Sequence, residues 1–371
     1  MGASTKDVVA EILRRGPLAR SELARRLGLS PASLTKLTRP LLDDGLLCEG
    51  EARQQVGTGR PSLPLNVVAD RHEFIGIKLN RVELYAVRTD LHANVLDKVE
   101  RSLTSNEVGE VVAAIEKAVD DLDPDHVVTD IGISLAGNIR SGEAIVRQSA
   151  YLDWSDVPLG VLVEMRTGRR TVLANDVRAL TAAQHWFGEG RGSSCFAVLT
   201  VGKGVGCGMV VNDRVVSGYD GHAGLASHLL IKESGPLCRH GHRGCATAYL
   251  SSGAITRSLA VLDGGRERSY DELLEMARDG HAAARRVFTD ACDALGVLMA
   301  HIGNLIGPDR IVLSGEGIGL YGVAPDVARE SMDRHLHTDA SPFEVVVAPF
   351  AFTEWARGAA VAVIQSLLMT T

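Results

Sequence analysis

Phe74–Val99 reads FIGIKLNRVELYAVRTDLHANVLDKV, and Cys195–Ser217 reads CFAVLTVGKGVGCGMVVNDRVVS. In both stretches apolar, β-branched runs are cut by short turn signals. These fall at Asn80-Arg81 and Asp90-Leu91 in the first, and at Gly202–Gly204 and Asn212-Asp213 in the second. The spacing predicts three consecutive strands per stretch, joined by tight turns. Each stretch then passes into alternating helical and strand periodicities. A three-strand opening used twice with an α/β continuation predicts two similar lobes around a ligand cleft, the actin/hexokinase-like (RNase H-like) architecture. The expected body is 67–371, with lobes over 67–190 and 191–371.

The segment 1–66 has a different grammar. Val8, Val9, Ile12 and Leu13 predict a helix over 5–15 that Gly16-Pro17 ends. Ser21 suits the N-cap of a short second helix, with Leu23 and Leu27 on one face. Gly28 fits a tight turn, and Ser30-Pro31 supply the cap and first-turn proline of a third helix. Leu34, Leu37 and Leu41 form its inner stripe, and Pro40 is expected to kink or stop it near Arg39. This is helix-turn-helix architecture. A helix in the major groove needs slim polar side chains for base edges and basic ones for phosphates. Ser30, Ala32, Ser33, Thr35, Lys36 and Arg39 meet that need. Residues 46–66 predict a β-hairpin wing carrying Arg53, Gln55 and, in the turn Gly57–Pro61, Arg60, which suits a narrow minor groove.

Charge follows the same division. Of 371 residues with net charge −7, the first 66 hold ten Lys/Arg against seven Asp/Glu, or +3; the remainder holds −10. A basic head on an acidic body fits a nucleic-acid module joined to a domain that does not bind DNA. Hydrophobic content of 45% with 23% charged residues describes a globular chain. No apolar run reaches the roughly 18 residues needed to span a bilayer, and the N-terminus has no signal-peptide core, so a cytoplasmic protein without membrane contact is expected.

Two constellations in the body carry chemistry. Cys238, His240 and Cys245 lie within eight residues in a glycine-rich loop, and His228 completes a tetrahedral set suited to structural Zn²⁺, with His222 and His242 as possible substitutes. Asn175-Asp176 follows an apolar strand and precedes an alanine-rich helix, where Asp176 can take a hydroxyl proton or bind it, or where the pair simply caps a helix. The glycine-rich turn at 202–208 can cradle phosphate or serve as a strand turn.

These residues resemble the ROK family of bacterial repressors, open reading frames and sugar kinases, over essentially the whole chain. Gly218–His228 looks like the family signature; Cys238–Cys245 is similar to its zinc loop, with His240 replacing the middle cysteine; Ile311–Gly315 resembles the segment near the nucleotide site. Asn175-Asp176 matches the pair whose Asp is the catalytic base of the kinases, and Gly137-Asn138 sits where the cleft-lining loop would lie. The resemblance implies effector contacts from Gly137, Asn138, Asn175, Asp176 and His228. The head marks the repressor branch, of the xylose/N-acetylglucosamine type, and implies an operator in double-stranded DNA, a sugar or sugar-derived effector, and a homodimer or homotetramer.

Departures from the family pattern decide against an enzyme. Gly76–Asn80 lacks the Asp-x-Gly-x-Thr phosphate loop, which removes the main electrostatic support for phosphoryl transfer. Leu225 and Thr247 replace two sugar-binding glutamates, so the effector is altered or absent. The alternatives are an ATP-dependent sugar kinase with an appended head, and an effector-independent regulator with a vestigial pocket.

Overall fold

The structure, a computed structural model, describes residues 4–50, 63–140, 142–219, 224–262 and 264–369. α1 (Thr5–Arg15) is capped by Ser4, buries Val8, Val9, Ile12 and Leu13, and stops at Gly16. α2 (Arg20–Leu27) starts ahead of Ser21, at cap residue Ala19. Mutual backbone hydrogen bonds between Leu18 and Leu65, 3.0 and 2.8 Å, fix the chain just before that start. Gly28, left-handed at φ 64°, turns the chain towards α3 (Pro31–Asp43), which Ser30 caps by accepting from Ser33 N–H. Contrary to expectation, α3 runs through Pro40. Pro40 is exposed, so the carbonyl that its missing N–H leaves unpaired can meet water. β1 (Leu47–Glu49) pairs antiparallel with β2 (Leu65–Val67). Arg53, Gln55 and Arg60 lie outside the described residues.

By packing, the chain forms two compact units, 1–192 with 352–371, and 193–351. The first contains β3 (Phe74–Leu79), β4 (Glu83–Thr89), β5 (Val95–Ser102), α4 (Val108–Leu122), β6 (Asp130–Leu135), β7 (Val146–Ser149), β8 (Trp154–Val157), α5 (Leu159–Thr167), β9 (Arg170–Asn175) and α6 (Asp176–Phe187). Its sheet has the order β5-β4-β3-β6-β9, with β3, β6 and β9 parallel. α4 and α5 cover one face through Val111, Ile115, Val119 and Val163, packed on Ile75, Ile77, Ile131 and Ile133.

The second unit contains β10 (Cys195–Val201), β11 (Val205–Val211), β12 (Arg214–Val215), α7 (Ala246–Leu250), α8 (Ser252–Leu262), α9 (Tyr270–Arg278), α10 (Ala282–Ile306), β13 (Arg310–Ser314), α11 (Pro325–His335) and β14 (Glu344–Val347). Its sheet order, β12-β11-β10-β13-β14, repeats the first in strand sequence and polarity. The duplicated opening is therefore a duplicated sheet. The 25-residue α10 supplies much of this unit's core, including Phe288, Leu295, Leu298 and Met299.

Two expected boundaries differ. α12 (Phe352–Leu368), assigned from sequence to the second lobe, packs on β3, β4, β6 and α6 of the first unit. Gly76 and Gly132, directly paired in register, allow this: a methyl on either would overlap the carbonyl oxygen of Ala356 or Ala359. The segment 1–66 is not separate in packing either, because α1 rests on α6 and α12.

Candidate functional site

The helical head presents one polar face. Ala32, Ser33, Thr35, Lys36 and Arg39 are all exposed on α3, while Leu34 and Leu23 are buried beneath it. Ala32, Thr35, Lys36 and Arg39 line a shallow concavity that also takes in Asp43 and Asp44. Arg39 lies 3.9 Å from Asp43, both largely exposed, so water screens that pair and leaves the guanidinium available. Ser30 is spent on the cap. Thr35 Oγ1 donates back to Pro31 O at 2.9 Å.

In the first unit, four expected effector residues meet where β9 turns into α6. Asn175 Oδ1 accepts from Arg178 N–H at 3.2 Å, and its Nδ2 donates to Gly137 O at 3.1 Å. Asn175 is thus both helix cap and tie to the Gly137 loop, and the helix-cap reading of this residue is what its bonds show. Asn138 holds its backbone against Gln148, 2.7 Å, while its Oδ1 is buried and accepts no hydrogen bond. That acceptor suits a hydroxyl donor.

Asp176 has a partner that sequence reading missed. Lys78 Nζ donates to Asp176 Oδ2, and Val177 N–H donates to Oδ1 at 2.9 Å. Both side chains are buried, and the Lys78 ammonium sits 5.1 Å from the centre of the Trp355 ring. Each carboxylate oxygen is therefore already engaged, one by a cation. Lys78 and Asp176 stand 98 positions apart, and the sequence hints at the pair only through a lysine set inside an otherwise apolar strand.

In the second unit, the turn between β10 and β11 is similarly filled. Glu316 Oε1 accepts from Lys203 N–H at 2.8 Å, and a side chain at Gly202 would overlap the Glu316 carboxylate. Gly317 N–H donates to Val201 O at 2.8 Å and keeps the Ser314–Gly317 loop against the turn. The exposed Glu316 carboxylate thus uses a backbone amide of the kind that cradles phosphate.

The second unit also gathers a His/Cys cluster. Ligand atoms of His228, Cys238, His242 and Cys245 all lie within 4.8 Å of one another. His228 Nδ1 is 3.4 Å from Cys245 Sγ and 3.9 Å from Cys238 Sγ, and His242 Nδ1 is 3.7 Å from Cys238 Sγ. Zn–N and Zn–S bonds in a tetrahedron place such atoms about 3.6 Å apart, so the donors fit that ion. His240, expected as a ligand, is replaced by His242: its Nε2 faces Arg239 Nε at 3.2 Å. The turn Cys238–Gly241 directs the His242 imidazole inwards instead. Burial raises the Cys238 thiol, but hydrogen bonds from the backbone of His240, His242 and Gly241 and from Cys245 bring it below the usual value. Burial, with His242, His240 and Arg239 nearby, holds His228 below the usual imidazole value. Burial, and then Cys238, raise the Cys245 thiol, so Cys238 ionises first of the two; a metal requires thiolates and neutral imidazoles. Among the signature residues, Asp220–Ala223, with His222, lie outside the described residues. Leu225 is exposed, and Thr247 Oγ1 donates to Ser227 O at 2.7 Å.

Paired sheets of identical order, each opening on a triple-stranded meander, define a two-lobed α/β protein of hexokinase-like fold. The ROK family profile matches residues 74–366, and the chain belongs to that family. It is 26% identical over 355 residues to the DNA-binding transcriptional repressor Mlc of Escherichia coli, covering 88% of this chain and 86% of Mlc. It is 29% identical over 305 residues to a glucokinase of Thermotoga maritima, covering 78% of this chain and 96% of that enzyme. A crystal structure of a ROK family transcriptional regulator, a homologue of E. coli Mlc, superposes with TM-score 0.83 at 25% identity, covering 98% of this chain and 96% of the regulator.

Proposed function

We propose that the chain is a cytoplasmic, DNA-binding transcriptional regulator of carbohydrate-related genes, a repressor controlled by a sugar or sugar-derived effector. The observation that carries this reading is the exposed Ala32–Arg39 face of α3, borne on a head within the 98% of the chain that the regulator structure covers. The glucokinase match covers only 78%. In this reading Lys36, Arg39, Arg53 and Arg60 meet phosphate or the minor groove, Ala32, Ser33, Thr35 and Gln55 meet bases or backbone, and Ser30 holds the start of the reading helix as its cap. A homodimer or homotetramer presents paired heads to an operator. The effector contacts Gly137, Asn138, Asn175 and Asp176 of the first unit. Structural Zn²⁺ is held by His228, Cys238, His242 and Cys245. When bound, the ion fixes the loop's geometry; it has no catalytic part. Effector binding changes operator affinity through a coupling of typically ~1–3 kcal/mol.

The kinase alternative is opposed by two charge placements, one buried and one exposed. Lys78 occupies the Asp176 carboxylate that a general base needs free, and Glu316 engages the turn that would receive phosphate. A coupled phosphorylation assay with a panel of sugars should give no turnover above background; turnover abolished by Asp176→Asn would restore the enzyme reading. Leu225 and Thr247 favour a second regulator reading, without effector. A panel of sugars, sugar phosphates and acidic sugars separates the two: a change in melting temperature supports effector control, and none across the panel supports the second.

A further inference from the structure

We propose that Arg191 is a positioning residue for the DNA-reading helices, locking the carboxyl end of α1 to the far end of α6. The proposal rests on the DNA-binding reading above. α6 begins at Asp176 and ends at Phe187, and the loop Gly188–Gly192 is wound tightly onto its end. Gly188 N–H and Gly190 N–H donate to Gln184 O at 3.1 and 3.0 Å, and Glu189 N–H donates to the buried Gln184 side chain at 2.9 Å. Arg191 N–H then donates to Gly188 O at 3.0 Å, and any side chain at Gly188 would overlap Gln184. The loop is therefore a built extension of the helix that carries the Asn175-Asp176 cluster.

From that platform the Arg191 guanidinium reaches the last turn of α1. Its Nε donates to Arg14 O at 2.9 Å and its Nη2 to Leu13 O at 3.0 Å. These carbonyls belong to the last turn of α1, at its negative pole, where a planar cation is most favourable. Arg15 Nη1 returns a bond to Gly192 O at 2.8 Å. Gly16, φ 88°, completes the fit: a side-chain carbon there would lie 3.3 Å from Arg191 Nη2, in a backbone region that disfavours side chains. Beyond the clamp, Glu11 on α1 faces Arg26 on α2 at 3.6 Å, and Leu23 and Leu34 close α2 onto α3. Packed and hydrogen-bonded groups thus run without a break from Asp176 to the exposed face of α3. The clamp also falls at Gly192, the last residue before the chain crosses into the second unit.

The test uses full-length wild type, Arg191→Ala, Arg191→Lys, and the core variant Leu298→Ala as a control for general destabilisation. Hydrogen exchange without DNA should show faster exchange in residues 11–27 of Arg191→Ala, by about tenfold or more for a lost charge-assisted bond, and no such change in Leu298→Ala. The DNA probe is a duplex that the wild-type protein selects from a random-sequence pool. Arg191→Ala should bind it about tenfold more weakly with an unchanged salt slope, because phosphate contacts persist while the heads lose their fixed orientation. Arg191→Lys should recover part of both effects. Unchanged exchange in the head of Arg191→Ala overturns the proposal, as does an affinity loss no greater than that of Leu298→Ala. If the wild-type protein selects no duplex, the DNA-binding reading fails, and the exchange result alone decides whether Arg191 fixes the head.

Discussion

Replacing Lys78 by Met should destabilise the first unit far more than an ordinary surface substitution would. The side chains of Lys78 and Asp176 are only 4% and 11% exposed, so neither ion is hydrated as it is in water. Removing the ammonium leaves the Asp176 carboxylate with Val177 N–H as its described donor. Breaking a buried pair from one side typically costs about 3–5 kcal/mol. Asp176 lies in the first turn of α6, whose dipole favours a negative charge by roughly 0.3–1 kcal/mol, so the lower end of that range applies. For a unit of roughly 200 residues, about 3 kcal/mol corresponds to a fall in melting temperature of about 6–12 °C. All three tryptophans, Trp154, Trp186 and Trp355, lie in this unit, so their fluorescence follows its unfolding separately. The double change Lys78→Met/Asp176→Leu removes both charges and should recover most of the loss, because an apolar pair of similar volume replaces them. A loss below about 1 kcal/mol for Lys78→Met would place the pair among solvent-screened ones and refute the reasoning. So would a double variant no more stable than the single.

Protein purified without chelator should hold about one zinc per chain. His242→Ala should abolish retention and His240→Ala preserve it, with elemental analysis as the readout; the reverse pattern would restore His240 to the site. Glu316→Gly should open the turn at Gly202–Gly204 and allow pyrophosphate to bind in equilibrium dialysis where the wild type shows none. Equal binding by the two would mean that Glu316 does not occlude the turn. Burial, and then the neighbouring His335, hold His301 below the ordinary value of 6.5. The unfolded chain therefore binds the proton more readily, and the second unit should lose stability as pH falls through 6.5. His301→Gln should flatten that slope in calorimetry between pH 5 and 7, while an unchanged slope would mean that His301 contributes nothing to it.

The duplicated sheets were legible because strand breaks and β-branched runs are local signals, and the same grammar occurs at 74–99 and 195–217. The helices of the head were legible from apolar spacing and caps. What escaped depends on distance or direction. Nothing local says that α12 crosses back to the first unit, although mid-strand glycines at 76 and 132 mark a close backbone approach. The order Cys238-x-His240-x-His242 supplies two imidazoles to one loop, and only the turn at Cys238–Gly241 determines which faces the thiols. Pro40 was read by its interior cost, which its exposed position lowers. The Lys78–Asp176 pair joins a strand to the first turn of a helix, visible in sequence only as a misplaced charge.

The most direct test of a DNA-binding regulator is the affinity of the purified chain for its own upstream intergenic DNA, titrated against salt with non-specific competitor present. The account predicts specific, salt-sensitive binding. In Lys36→Ala/Arg39→Ala/Arg60→Ala it predicts that the binding is lost or greatly weakened, with the slope of log affinity against log salt reduced by about 1.8, roughly 0.9 for each phosphate contact of Lys36 and Arg39. Absence of specific binding to that DNA and to genome-wide fragments, or a triple variant that binds as the wild type does, would contradict it.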